Sequence, residues 1–234
     1  MPEASAAEET SLPRELWRSA GPLEAAVLCH PFVRGLGDGT LPPDRYRFYL
    51  LQDWLFLREY VRVLALAAAA APGLEEQRRL VRLLQATLDQ EMDLHRRTAA
   101  LEGLGAEDLD QGRPAPFTFA YTRHLLSTAR GGTLGEIVAG LLPCQWGYAV
   151  IGRHLAARGP SPVARYQEWI QAYAGEAYQG TARWMWDLAA GLGRGMGAAE
   201  RARAGEAFAY SFQLEYAFWD GCWRRQTWPV CGGD

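Results

Sequence analysis

The spacing of apolar residues constrains the fold of this chain more than any other feature. Along nearly every long segment, apolar residues recur at the three- and four-residue intervals of an amphipathic helix. No segment shows the sustained alternation of a strand, so the sequence predicts an all-α protein. Breakers rich in Gly and Pro separate the predicted helices. These helices cover residues 12–28, 41–71, 74–101, 117–129, 134–157, 163–173, 176–192 and 198–225.

Two segments between these helices are predicted to be non-helical. Residues 35–40 are rich in glycine, but no strand precedes them and no Gly-Lys-Ser/Thr follows, so they are interpreted as a connection and not as a phosphate loop. Residues 103–116 combine Gly and Pro breakers with acidic side chains, which is typical of a polar loop.

The size of the chain favours one domain. Its 234 residues contain neither an internal repeat nor a linker, so we expect a single domain over residues 1–234 with disordered tails at 1–11 and 229–234. The formal net charge is −3 and all 24 basic residues are Arg without any basic run, which argues against nucleic-acid binding.

The start of the chain and its apolar runs predict a cytoplasmic protein that does not span a membrane. Residues 1–11 are small and acidic and lack the features of a secretion signal. The longest apolar run, residues 63–72, is far shorter than the roughly 20 residues of a membrane helix. The cysteines are scattered without a CxxC pair, which indicates free thiols and no zinc site; they are Cys29, Cys144, Cys222 and Cys231.

Reactive or acidic side chains interrupt the apolar faces of four predicted helices. A buried carboxylate is costly unless it is paired or hydrogen-bonded, so these residues are candidates for function. They are Asp53 in the second helix, Glu91 and His95 in the third, Cys144 in the fifth and Glu215 in the last. Facing helices of a bundle bring such groups into an internal pocket. Aromatic residues around them would suit a flat, polar heterocycle held at its edge by carboxylates.

Each of these residues also has an ordinary structural interpretation. Asp53 and Glu215 could each satisfy a buried hydroxyl or pair with an Arg. The third predicted helix buries a face formed by Leu80, Leu84, Leu88, Glu91 and His95. Glu91 and His95 lie four residues apart on that face, where a structural hydrogen-bonded pair is commoner than a set of ligands.

Cys144 follows Pro143 inside the fifth helix. Proline removes a backbone donor, so the sequence predicts a bend that presents Cys144 and, four residues on, Tyr148. Taken alone, the segment could be a kinked core helix with a buried thiol. Two chemistries compete for the pocket: a nucleophilic Cys144 with Glu215 as proton carrier, or two metal ions on the acidic residues and His95. The metal alternative lacks the repeated Glu-x-x-His motifs typical of such sites, since the chain has one Glu91-x-x-x-His95 and no second copy.

At these residues the sequence resembles the TenA family, the thiaminase II group with a haem-oxygenase-like helical bundle. The matching motifs extend from about His30 to Trp228. They are His30-Pro31-Phe32-Val33, Gly37-Asp38-Gly39-Thr40-Leu41-Pro42, Tyr49-x-x-Gln52-Asp53, Glu91-Met92-x-Leu94-His95, Leu141-Leu142-Pro143-Cys144-x-Trp146-x-Tyr148, Tyr166-Gln167-x-Trp169-Ile170-x-x-Tyr173 and Glu215-Tyr216-x-Phe218-Trp219.

The resemblance implies an aminopyrimidine hydrolase of thiamin salvage. Such enzymes hydrolyse 4-amino-5-aminomethyl-2-methylpyrimidine, thiamin or both to the hydroxymethyl pyrimidine, without metal or organic cofactor. By similarity, Cys144 is the nucleophile, Glu215 donates a proton to the ring and Asp53 binds the amino edge. The implied substrate-binding residues are Asp53, Phe56, Tyr121, Tyr148 and Tyr173. The family is typically homotetrameric, which we expect here.

One position departs from the family pattern. Phe56 stands where many members have a tyrosine that helps to activate the cysteine, so the ring can stack but the hydroxyl is missing. Two other functions remain as alternatives: a metal-dependent oxygenase on the same scaffold, and a binding or regulatory protein, a label that family members have carried. The sequence contains no helix-turn-helix with a basic recognition helix.

Overall fold

The computed structural model describes residues 11–229, and every regular element in this range is helical. The predicted tails fall outside it, except for residues 11 and 229, and so does Cys231. The helices are α1 (Leu12–Ser19), α2 (Gly21–Leu28), α3 (Pro31–Asp38), α4 (Pro43–Ala70), α5 (Leu74–Ala86), α6 (Met92–Leu101), α7 (Ala106–Gln111), α8 (Pro116–Gly131), α9 (Leu134–Ala156), α10 (Ala164–Ala174), α11 (Glu176–Gly193) and α12 (Ala198–Arg224). The prediction of an all-α fold is confirmed.

Two segments predicted to be connections contain helices. Residues 35–38 form the last turn of α3, which ends where Gly39 adopts a left-handed φ of 74°. Glycine is favoured over other residues at position 35 of this helix, because a Cβ there would lie 2.9 Å from the backbone nitrogen of Leu41. Residues 106–111 form α7, whose first turn is capped as Asp108 accepts a hydrogen bond from the backbone N–H of Gly105 at 2.8 Å. Close packing and capping outweigh the local signal of the breakers.

The predicted third helix is continuous but irregular. Between α5 and α6, Thr87–Glu91 forms a π-helical turn, which has one more residue per turn than an α-helix. The extra residue rotates the buried face, so the prediction that Leu88 is buried is wrong: Leu88 is 44% exposed and Thr87 takes the inward position. The same turn ends at Glu91.

Helix α9 lies at the centre of the bundle and contacts α3, α4, α8, α10, α11 and α12. It continues on both sides of Pro143. Among the described residues it is the one helix long and apolar enough to cross a membrane, yet 83% of its most apolar window is buried inside the bundle. Such burial is typical of a core helix.

A glycine sets the spacing between α9 and α10. A Cβ on Gly152 would lie 2.6 Å from the backbone carbonyl carbon of Tyr173, so only glycine permits this approach. The ring of Tyr173 consequently lies 4.9 Å from the ring of Tyr148, one turn before Gly152 in α9. These two tyrosines mark the side of α9 on which the polar residues gather.

Candidate active site

Asp53 is a buried carboxylate with three hydrogen-bond donors around it. It lies in the middle of α4 and is 3% exposed. Its Oδ2 accepts hydrogen bonds from Tyr49 at 3.2 Å and from the His95 ring, and its Oδ1 accepts one from Tyr148 at 3.2 Å. The Trp169 indole donates to the Tyr49 hydroxyl at 2.9 Å and fixes it in turn. These donors satisfy both carboxylate oxygens in a site closed to bulk water.

The partner of Asp53 is the His95 ring, whose charged form is favoured by its neighbours. Burial by itself lowers the pKa of His95, but the adjacent Asp53 carboxylate and Glu91 outweigh it and raise that pKa. The other ring nitrogen, Nδ1, lies 3.2 Å from the backbone carbonyl of Glu91 and donates to it. The pair of Glu91 and His95 is therefore linked through the backbone, and the His95 side chain is committed to Asp53.

We expect Asp53→Asn to destabilise the fold by about 3 kcal/mol, because it removes one partner of a buried ion pair and leaves His95 uncompensated. For a chain of this size that loss corresponds to a decrease of roughly 6–12 °C in Tm. Thermal denaturation followed by circular dichroism measures it. The double variant Asp53→Asn with His95→Gln should recover much of the lost stability, and an unchanged Tm in Asp53→Asn would contradict the ion pair.

Cys144 faces the same interior from α9. Its thiol is 6% exposed and donates to the backbone carbonyl of Leu141, with Sγ 3.1 Å from the oxygen. Burial, together with the nearby Glu215 carboxylate, raises the pKa of Cys144 well above its usual value. The resting group is a thiol, so its proton must leave when the sulfur attacks.

Tyr121 and Glu215 lie behind Cys144. The Tyr121 hydroxyl faces both groups without a well-aligned hydrogen bond to either, and no other partner reaches it from residues 11–229. Glu215 accepts a hydrogen bond from the Trp219 indole at 2.9 Å. Burial raises the pKa of Glu215 to about 8, against the opposing influence of the nearby Tyr121 hydroxyl and of the Trp219 hydrogen bond. A carboxyl with this pKa holds its proton at neutral pH, as a general acid requires.

A small inner cavity lies against Cys144. Its volume is about 20 Å³, enough for one water molecule. The lining residues are Asp53, Phe56, Leu57, Tyr60, Glu91, Cys144, Gln145, Tyr148 and Tyr178. Glu215 is absent from this set and lines a separate cavity of about 10 Å³ beside Pro143.

A larger outer chamber of about 270 Å³ adjoins the inner cavity. Its walls come mainly from α5, the π-helical turn, α10 and α11, and include Tyr173 and the exposed residues Gln90 and Ala177. Glu91, Gln145 and Tyr178 line both spaces and form the wall they share. This shared wall separates the cavity at Cys144 from the outer chamber.

The predicted site residues thus occupy three places. Asp53, Phe56, Cys144 and Tyr148 line the inner cavity, Tyr173 lines the outer chamber, and Tyr121 and Glu215 lie behind the thiol. Sequence reasoning missed Tyr60, Gln145 and Tyr178 as site residues. Tyr60 had a signal, because it follows Phe56 by four residues on the same face of α4. Nothing in the sequence placed Tyr178, which reaches the site from the packing of α11.

The acidic residues and His95 do not surround a common point. Within residues 11–229, no three His, Cys, Asp or Glu side chains are arranged to hold a metal ion. Asp53 and His95 bond to each other, and Glu91 accepts a hydrogen bond from the Tyr173 hydroxyl at 3.1 Å.

Comparison with known proteins identifies the family of this chain. The model of the TENA/THI-4/PQQC family matches residues 17–225, which include every site residue described above. The chain belongs to this family. A curated relative in Halalkalibacterium halodurans, an aminopyrimidine aminohydrolase, is 36% identical over 223 residues, which cover 95% of this chain and all of the relative. The resemblance to the TenA family is thereby confirmed.

Solved structures show the same fold for this TENA/THI-4/PQQC family member. A protein from a Silicibacter species, described as a TenA family transcription regulator, superposes with a TM-score of 0.84 at 31% identity, covering 92% of this chain and 99% of that one. A domain from Shewanella denitrificans with a heme oxygenase-like fold has a TM-score of 0.71 at 14% identity, covering 90% and 91%. The predicted haem-oxygenase-like bundle is confirmed.

Proposed function

We propose that this protein is an aminopyrimidine aminohydrolase of thiamin metabolism, a hydrolase acting on 4-amino-5-aminomethyl-2-methylpyrimidine, thiamin or both. The observation that carries the proposal is the placement of Cys144 and Asp53 on one aromatic-lined cavity. The full-length similarity to curated aminopyrimidine aminohydrolases supports the substrate class.

The proposed roles follow from the environment of each group. Asp53 accepts the exocyclic amino group of the ring and is held for this by Tyr148 and His95. Phe56 and Tyr148 flank the ring, Tyr173 borders the path of entry, and Cys144 attacks. Tyr121 is placed near both the thiol and Glu215 and can pass a proton between them.

The reaction proceeds by covalent addition. Sulfur bonds to the ring carbon beside ring nitrogen N1, and the π pair of that carbon–nitrogen bond moves onto N1, which takes the proton of Glu215. The thiol proton passes through Tyr121 to the Glu215 carboxylate. The exocyclic amino lone pair then drives formation of a C=C bond to the 5-methylene as the leaving group departs with its bonding pair. Water adds to the methylene, and expulsion of sulfur restores the ring. Splitting one poor displacement into two easier steps accounts for the gain in rate.

The decisive test supplies purified protein with the aminomethyl pyrimidine and measures ammonia and hydroxymethyl pyrimidine in equal amounts. Thiamin is supplied in parallel, with the free thiazole as the expected second product. Turnover of neither substrate would reject the proposal. Elemental analysis of the same preparation, together with oxygen uptake, tests the alternative of a metal-dependent oxygenase.

Phe56→Tyr is expected to raise kcat several-fold. Phe56 is 7% exposed and lines the inner cavity with Cys144, in contact with the rings of Tyr60 and Tyr121. A hydroxyl in that cavity can donate to the developing thiolate and lower the free energy of its formation; each 1.4 kcal/mol so gained is about tenfold in rate. Steady-state kinetics measures the change. An unchanged kcat with an unchanged Tm would assign no activating role to this position.

We propose further that the protein works in the cytoplasm as a homotetramer and without nucleic acid. Free thiols at Cys29, Cys144 and Cys222 suit a reducing compartment.

Exposed apolar side chains are available for subunit contacts, including Phe119 and Trp228, whose rings pack edge-on at 6.0 Å. Light scattering coupled to gel filtration gives the assembly size, and a DNA-retention assay at physiological salt tests the regulatory alternative.

A further inference from the structure

Glu91 stands at the boundary between the two spaces of the site. It ends the π-helical turn, and π-helical turns occur frequently at functional sites. Its carboxyl lines both the inner cavity and the outer chamber, and it is the one carboxylate among the described residues that lines the outer chamber. The proposed roles above leave this side chain without a task.

The hydrogen bonding of Glu91 differs from that of Asp53. Both oxygens of Asp53 receive protein donors, two at Oδ2 and one at Oδ1, so one acceptor position on Oδ1 remains for the substrate amino group. Glu91 Oε1 accepts the Tyr173 hydroxyl, but no donor within residues 11–229 reaches Oε2. One oxygen of this carboxyl therefore remains available to a ligand that lies between the two spaces.

The shape of the inner cavity determines which part of a substrate meets Glu91. Leu57, Phe56 and Tyr60 close the side away from the outer chamber, while Glu91 belongs to the shared wall. A ring bound against Asp53 and Cys144 has the most room for a substituent through that wall, because the larger chamber lies beyond it. The group on the 5-methylene carbon, which is the leaving group, thus passes beside Glu91.

We propose that Glu91 is a catalytic residue that holds a proton on the departing nitrogen of the aminomethyl substrate. The inference rests on the proposed function and deepens it. An amine leaves as NH3, because the bare amide anion is far too basic to depart. When the C–N bond breaks, the nitrogen keeps the bonding pair and carries away its own two hydrogens and the proton shared with Glu91. The incoming water replaces that proton as its oxygen bonds to the methylene.

The electrostatic setting of Glu91 suits this task. Burial raises the pKa of Glu91 to about 7, with the Asp53 carboxylate adding to the shift against the opposing effect of His95 and Tyr173. Near neutral pH such a carboxyl can both donate a proton to an amine and accept it back. A cationic substrate is attracted in addition by the charge of the ionised form.

Comparing two leaving groups tests the inference. In Glu91→Gln, kcat for the aminomethyl pyrimidine is expected to fall about 10²-fold. For thiamin, whose quaternary ring nitrogen leaves neutral without a proton, kcat should fall less than about fivefold, although KM rises for both cations. Glu91→Asp should restore part of the amine activity. Asp89→Asn, the same charge change on an exposed residue of the same turn, should alter neither substrate.

The outcomes separate the two proposals. Selective loss of kcat on the amine substrate supports Glu91 as the group that holds the proton. An equal loss on both substrates, or no loss on either, overturns this inference while leaving the hydrolase intact. A wild-type protein that turns over neither substrate rejects the proposed function, and this inference with it.

Discussion

Cys144→Ser is expected to lower kcat/KM for the aminomethyl pyrimidine by about 10³-fold or more. Oxygen replaces sulfur without adding volume, so the packing around this buried position is retained. The serine hydroxyl is a much weaker acid than the thiol and a poorer leaving group, so both the attack on the ring and the final expulsion slow down. Steady-state assays of ammonia release measure the loss.

Two further thiols serve as controls for this variant. Cys29 is exposed and Cys222 is fully buried on α12, and neither lines the inner cavity or the outer chamber. Cys29→Ser should keep full activity, and Cys222→Ser should change stability more than kcat. A Cys144→Ser enzyme with wild-type turnover would exclude covalent addition through this residue.

Glu215→Gln is expected to reduce kcat by about 10²- to 10⁴-fold, the usual range for loss of a positioned proton donor. Burial raises the pKa of Glu215 to about 8, so the carboxyl is protonated and able to donate below that pH. Activity of the wild type should accordingly fall as the pH rises through about 8. Glutamine cannot donate in this way, so the residual activity of the variant should lack that falling limb.

The pH profile distinguishes proton donation from a structural role. Glutamine keeps the acceptor for the Trp219 indole and the volume of the side chain, so the fold should be retained. Glu206→Gln makes the same change on an exposed residue of α12 and should leave both kcat and the profile unchanged. If the pH profile of Glu215→Gln still showed the fall in activity near pH 8, another group would be the proton donor.

The helical period predicted most of the bundle because long amphipathic helices dominate it. Asp53 and Cys144 could be identified in the same way, since a polar residue on a buried face is visible in the sequence. Helix α3 (Pro31–Asp38) could not be predicted in this way. Its stability depends on the close approach of Gly35 to Leu41, and the local sequence pattern assigns both residues to a turn.

The sequence predicted which residues form the site better than it predicted where their side chains lie. The π-helical turn shifts the register after Thr87, which exposes Leu88 and leaves Glu91 between the two spaces. A fixed 3.6-residue period has no means of indicating that extra residue. The sequence also grouped Glu215 with the pocket residues, whereas packing places its carboxyl behind the thiol, beside Pro143.

The size of the inner cavity has a consequence for binding equilibria. A space of about 20 Å³ holds one water molecule and is smaller than a pyrimidine ring. We therefore expect the ring to select a less populated conformation, in which the side chain of Gln145 or Tyr178 in the shared wall has moved. If that conformation makes up about 1% of molecules, the apparent affinity is about 100-fold weaker than the intrinsic one. A substitution that only favours the open conformation would then lower KM without making a single new contact to the substrate.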